Sequence, residues 1–204
     1  MMPTHLSGVY VVGPSSSGKT TLCRSLASRL HLAPSRHVSE VARTVMQTTR
    51  FSREHVGLLA MQQAILSAQI EAEKTARMQH GGVTRDQTAP FLLCDRSAID
   101  PIVYAYFSTA GETGANTLVE SAGLSGLLPV YRHALFILLH PVEEWIEDDG
   151  IRSMRDPHRY PTVYKMFLNK LGIDYEEMGE DVRGLEDRVD RVLGWVAGRD
   201  QGQV

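Results

Sequence analysis

The sequence predicts an α/β fold of three layers, with a five-stranded parallel sheet between two layers of helices. Two observations predict it. Apolar runs such as VYVV (9–12), PFLLC (90–94) and ALFILLH (134–140) carry no polar alternation, the pattern of strands buried on both faces. Longer segments of helical period separate them, as the crossovers of a parallel sheet require. The chain of 204 residues, 43% hydrophobic and 22% charged, is long enough for one domain with a substantial core.

The elements follow in order. Gly8–Gly13 reads as the first strand and Lys19–Leu30 as a helix with Leu22, Leu26 and Leu30 on one face. Arg36–Ser39 is a short second strand. Glu40–Thr49 and Glu54–Met78 are helices, the latter carrying Leu58, Met61, Ile65 and Ala68. Gln79–Ala89 is the most loop-like stretch, and Pro90–Cys94 is the third strand. Asp100–Phe107 is a helix with Pro101 in its first turn, where proline is tolerated, and Asp100 as its N-cap. Gly111–Gly126 reads as loop with one short helix. Ala134–His140 is the fourth strand, Pro161–Leu171 a helix and Ile173–Met178 the last strand. Val182–Ala197 closes the chain as an amphipathic helix, and the last residues, GRDQGQV, are expected to fray.

Composition narrows the classes of function. A net charge of −3 supplies no global field toward nucleic acid or anionic membrane. The two cysteines, Cys23 and Cys94, stand far apart in apolar surroundings and read as reduced core residues. The eight histidines show no paired ligand spacing. No apolar run approaches the ~18 residues of a spanning helix, and MMPTHLSG lacks the basic-then-apolar order of a signal peptide. The expectation is a cytoplasmic protein, with no membrane span and no nucleic acid partner.

Between the first strand and first helix stands GPSSSGKTT, Gly13–Thr21, which fits G-x-x-x-x-G-K-[ST]. Glycines at 13 and 18 let the amides of Pro14–Thr21 curl toward an anion, proline excepted, and the following helix adds the positive end of its dipole. Lys19 can reach β- and γ-phosphates, and Thr20 can place its hydroxyl on Mg²⁺. Gly13, Pro14, Ser15, Ser16, Ser17, Gly18, Lys19, Thr20 and Thr21 are therefore the candidate nucleotide-binding residues. A serine-rich turn before a helix is the bland alternative.

A second acidic group must complete such a centre, and LLCDRSAID supplies Asp95 at the carboxyl end of a buried strand, where open α/β sheets place ligands. Asp95 is the candidate for the metal, directly or through water, and Arg96 beside it for an acceptor or phosphate. Glu40 ends the second strand and Arg43 follows one turn on. A carboxylate there can orient an acceptor hydroxyl or take its proton; the same residue would also serve as an ordinary acid at a helix N-terminus. Arg152, Arg155 and Arg159 crowd WIEDDGIRSMRDPHRY, a candidate lid around 145–161 whose arginines could stabilise transferring phosphate. Alternatively they pair with Glu147, Asp148 and Asp149 on a solvated loop. Arg188, at the last strand-to-helix crossing, is a candidate for the nucleobase. Met61–Gln63 reads as helix core and surface, and His133 and His140 as strand-end residues rather than catalysts.

Taken together, GPSSSGKTTL (13–22), SEVAR (39–43), LLCDRSAID (92–100), ILLHPVEEWIEDDGIRS (137–153), LGIDYEEM (171–178) and LEDRVDRVL (185–193) resemble the P-loop kinase-like AAA-domain family that includes the nicotinamide-riboside kinase domain of NadR-type proteins. The DRS after the third strand is closer to thymidylate and deoxynucleoside kinases. The resemblance implies a P-loop NTPase fold with the kinase-type strand order 2-3-1-4-5, and ATP or GTP with Mg²⁺. It places a small acceptor between the second and third strands. By match, Lys19 and Thr20 serve phosphate and metal, Asp95 metal or acid–base work, Glu40 the acceptor, and Arg152 the lid. Two functions are expected from these residues. One is phosphoryl transfer to a small, nucleoside-like molecule. The other is nucleotide-controlled binding with slow or no hydrolysis. A simple NTPase ranks below both, because no water-positioning residue is evident.

Overall fold

The structure is a computed structural model that describes residues 6–80, 91–145 and 157–201. Most of the 79–89 loop, and Arg152 and Arg155 with most of the 145–161 segment, lie outside the described residues.

Five parallel strands form one sheet: β1 (Gly8–Val12), β2 (His37–Val38), β3 (Leu92–Asp95), β4 (Leu135–Leu139) and β5 (Tyr175–Met178), in the order β2-β3-β1-β4-β5. This is the expected order. Alternate residues of the central strands enter opposite cores. Tyr10, Leu92, Cys94, Phe136 and Leu138 face one side, packed by α2 (Val41–Thr48), α3 (Leu59–Met78), α4 (Ile99–Tyr106), α5 (Gly111–Val119), α6 (Ala122–Tyr131) and α7 (Arg159–Leu171). Val9, Val11, Leu93, Ile137 and Leu139 face the other, packed by α1 (Lys19–Arg29) and α8 (Leu185–Gln201). Both cysteines are free and buried, as their apolar context predicts.

Three regions differ from expectation. Gly111–Gly126 is not mostly loop: it belongs to two helices, α5 and α6, the second capped by Ser121, whose hydroxyl accepts from the Leu124 amide. Two of its glycines, Gly114 and Gly123, serve close packing rather than a turn. A Cβ on Gly123 would lie 2.8 Å from Ile70 Cδ1 of α3. The helix expected from Glu54 begins instead at Leu59, because Ser52 and His55 close a separate 3₁₀ turn with reciprocal hydrogen bonds. Asp100 is not the N-cap of α4; that position is Ala98. Asp100 still satisfies the helix start, accepting from the Ser97 amide (2.8 Å) and hydroxyl (3.1 Å).

The register positions the site. Val11 pairs with Asp95 and Val12 with Leu138, so the chain leaving β1 meets the end of β3 at once. Gly13 sits there at φ 140°, where a Cβ would lie 2.5 Å from Leu139 O, so only glycine fits.

Candidate nucleotide and acceptor site

The Gly13–Thr20 loop closes on itself. Ser17 Oγ donates to Pro14 O at 2.9 Å. Lys19, buried despite its charge, donates from Nζ to the same carbonyl and to Ser17 Oγ, 3.2 Å away. Gly18, the N-cap of α1, brings no side-chain cap, so the first amides of that helix are left for an outside acceptor.

Thr20 Oγ1 donates to Asp95 Oδ2 at 2.6 Å. The second oxygen, Asp95 Oδ1, is buried and has no hydrogen-bond partner among the described residues. A buried carboxylate oxygen without a donor is costly. A hydroxyl and a half-used carboxylate side by side form an oxygen donor set that fits Mg²⁺, which takes one or two protein ligands and completes its shell with phosphate and water. Among the described residues no cluster of three or more His, Cys, Asp or Glu could hold a metal alone.

Glu40 is the N-cap of α2, yet its carboxylate makes no capping bond. One oxygen accepts from Arg96 Nε at 2.9 Å and the other from Arg43 Nε at 2.8 Å. The two pairs differ in setting. Arg96 is buried and also donates to Asp100 Oδ1 at 3.2 Å, whereas the Arg43 side chain is 74% exposed. Burial works against the charge of Arg96, but Tyr104, Glu40 and Asp100 outweigh it and hold its pKa well above the usual arginine range. Arg96 adopts φ 87°, a left-handed conformation unusual for a residue with a Cβ.

One cavity of about 310 Å³ brings these groups together: Lys19 and Thr20 line it from the loop, Glu40, Arg43 and Arg96 from the far side. An apolar recess shares Met46, Val56 and Arg96 with it and is completed by Met61, Ile65 and Tyr104. Gln62 enters this recess almost fully buried; its amide nitrogen donates to Val56 O at 2.7 Å. Met61 and Gln62 had read as core and surface. Sequence held no signal for their convergence with α2 and α4.

On the other side of the loop, Ser16, Gly18, Trp145, Arg183 and Arg188 line a second cavity. Arg188 is almost completely buried, and burial lowers its pKa. It donates to Ser17 O (2.9 Å) and Val182 O (2.6 Å), and its guanidinium lies 4.5 Å from the centre of the Trp145 ring. Its remaining terminal nitrogen has no hydrogen-bond partner among the described residues. Thus the structure brings Lys19, Thr20, Glu40, Arg43 and Arg96 to one cavity, ties the buried Asp95 to it through Thr20, and sets Arg188 behind the loop.

The sheet order and the loop at the end of its central strand define the fold of the P-loop kinases. The profile of the family described as AAA domain matches residues 8–187, and the chain belongs to that family. Among solved structures, a NadR protein in complex with NR matches with TM-score 0.68 and 22% identity over 95% of this chain. The chain spans about half of that protein, 52% of its length. A deoxyadenosine kinase from M. mycoides with bound dCTP matches with TM-score 0.61 and 13% identity, over 94% of this chain and 99% of the other. A shikimate kinase from Acinetobacter baumannii in complex with shikimate matches with TM-score 0.52 and 14% identity, over 96% of each chain. Comparison with curated protein sequences gives no match. No helix among the described residues is long and apolar enough to cross a membrane.

Proposed function

We propose that the protein is a small-molecule kinase that moves the γ-phosphoryl group of ATP or GTP to a hydroxyl of a nucleoside-like acceptor. One observation carries the reading: the loop lysine and threonine face Glu40 and Arg96 across a single cavity of about 310 Å³, bordered on the Glu40 side by the apolar side chains of Met46 and Val56. The names of two of the similar structures, a deoxyadenosine kinase and a shikimate kinase, agree with it.

The donor base would lie in the cavity beside Trp145 and Arg188, with its phosphates on the loop amides. Lys19 would exchange its contacts with Pro14 O and Ser17 Oγ for phosphate oxygens. Thr20 and Asp95 would hold Mg²⁺, which supplies neutralisation of phosphate charge. The acceptor ring would lie in the 310 Å³ cavity against Met46 and Val56, which also border the small recess that holds Gln62. Its hydroxyl would then meet Glu40. Clamped by two guanidinium groups, that carboxylate is fixed in orientation rather than free to swing. As the acceptor oxygen bonds to the γ-phosphorus and the bond to the β-phosphate oxygen breaks, Glu40 takes the acceptor proton. Arg96 stands next to it, where its charge meets the developing negative charge.

The test is release of nucleoside diphosphate from ATP and GTP with Mg²⁺, with and without ribonucleosides, deoxyribonucleosides, nicotinamide riboside and shikimate. Stimulation by one acceptor, with the phosphorylated product found by mass spectrometry, supports the reading. Nucleotide-dependent capture of a ligand without turnover would replace it with a binding role.

A further inference from the structure

The turn between β3 and α4 carries Asp95 and Arg96, and it is strained. Arg96 stands at φ 87°, and a residue with a Cβ persists there only where its surroundings over-determine it. The amides of the turn show how it is held. Arg96 N donates to Val11 O at 3.0 Å, Ser97 N to Asp100 Oδ2 at 2.8 Å, and Ile99 N to Ser97 Oγ at 3.1 Å. These partners lie in the turn itself, in the start of α4 or in the adjoining strand β1. Ala98 N is different: it donates at 2.9 Å to the hydroxyl of Tyr131, from α6.

Tyr131 is fully buried, and its single hydroxyl proton is committed elsewhere, to Glu73 Oε1 at 2.8 Å. That donation turns a lone pair toward Ala98. Glu73, on α3 and equally buried, also accepts from Tyr10 (2.8 Å) and Gln69 (3.0 Å). Arg77, one turn along α3, donates to the Tyr10 hydroxyl at 2.7 Å. The Tyr131 ring is wedged against Tyr10 and Phe136, with centroids 4.8 and 5.0 Å apart. A carboxylate in an apolar core is expensive unless its contacts are needed. Here it fixes two tyrosine hydroxyls, and of these the Tyr131 hydroxyl is the one that meets the turn.

We propose that Tyr131 is a positioning residue: oriented by Glu73, its hydroxyl holds the Ala98 amide and so keeps the strained turn, with Asp95 and Arg96, in working geometry. It touches neither donor nor acceptor. The consequence for turnover rests on the kinase reading above; the consequence for the turn does not.

The test compares Tyr131→Phe with Tyr10→Phe in the full chain. Each removes one hydroxyl from the same buried carboxylate, but only Tyr131 reaches the turn. Hydrogen exchange of the peptide covering residues 94–100 is read first, without ligands. Tyr131→Phe should speed it about tenfold while Tyr10→Phe leaves it unchanged. Equal effects of the two variants, or none from Tyr131→Phe, overturn the proposal. With an acceptor in hand, Tyr131→Phe should lower kcat about tenfold and leave nucleotide Kd within about twofold. An unchanged kcat overturns it as well. If the wild type phosphorylates nothing, the kinase reading falls and the exchange result still decides this one. Should Tyr131→Phe fail to fold, the wild type decides: protection of the Ala98 amide as deep as that of the central strands supports the proposal, and exchange at loop rates overturns it.

Discussion

Thr20 Oγ1 and Asp95 Oδ2 lie 2.6 Å apart, so the first turn of α1 and the end of β3 are joined by one hydrogen bond. It uses half of the carboxylate and leaves Oδ1 buried, with no donor among the described residues. Asp95→Asn keeps the shape and removes the charge. Magnesium-dependent turnover should fall roughly 10²–10³-fold, with nucleotide affinity in EDTA unchanged. Calorimetry with and without Mg²⁺, beside steady-state rates, checks this; an unaltered magnesium dependence would remove Asp95 from the metal site.

Lys19 holds the loop closed through Pro14 O and Ser17 Oγ. Lys19→Met removes the ammonium and leaves most of the stem in place. Affinity for the triphosphate should drop about a hundredfold while affinity for the parent nucleoside stays the same. Parallel titrations with the two ligands separate lost phosphate recognition from a damaged fold.

The two arginines on Glu40 should behave unequally. The Arg43 side chain is 74% exposed, and exposed pairs contribute about 0–1 kcal/mol, so Arg43→Ala should barely move the thermal midpoint. Arg96 is buried between Glu40 and Asp100, and removing it takes the buried cation away from two carboxylates. Arg96→Ala should cost about 3–5 kcal/mol, as broken buried pairs do, and abolish turnover. Chemical denaturation of both variants measures the contrast.

Glu73 gives stability a pH dependence. Burial raises its pKa from the ordinary 4.5, against the lowering effect of Gln69, Tyr10, Tyr131 and Arg77. Between 4.5 and the folded value the native carboxyl keeps a proton that the unfolded chain has lost. The contribution of Glu73 to stability is therefore greatest below that window and declines as pH rises through it. In Glu73→Gln this slope disappears. Urea melts of the two proteins across the acid range should give a stability difference, wild type minus variant, that falls with rising pH. A difference that rises would reverse the assignment; groups with the opposite slope, such as Glu177, whose pKa its partners His140 and Lys165 lower, cancel in the comparison.

The parts of the site that were legible in sequence are those fixed by local chain geometry. Gly13, Gly18, Lys19 and Thr20 announce themselves by spacing, and Glu40 and Asp95 by standing at the ends of strands. Their neighbours across space left no such mark. Gln62 looks like any polar residue of a long helix, and only the convergence of α2, α3 and α4 puts it in a recess. The glycines of 111–126 suggested a loop because nothing in sequence tells a turn glycine from one that lets α6 approach Ile70. Glu73 is hidden for the same reason: its partners Tyr10 and Tyr131 lie 63 and 58 positions away.

The strand that bears the phosphate loop is the earliest to be made and sits in the middle of the sheet. Its neighbours are β3, which ends at Asp95, and β4, which ends at Leu139. Closing the first contact spans some eighty residues and the second well over a hundred, long separations that slow folding. During synthesis the loop must therefore wait, without its walls, until β4 has left the ribosome tunnel. Nascent chains stalled before that point should retain no nucleotide on a filter, and those stalled after the full sheet has emerged should retain it.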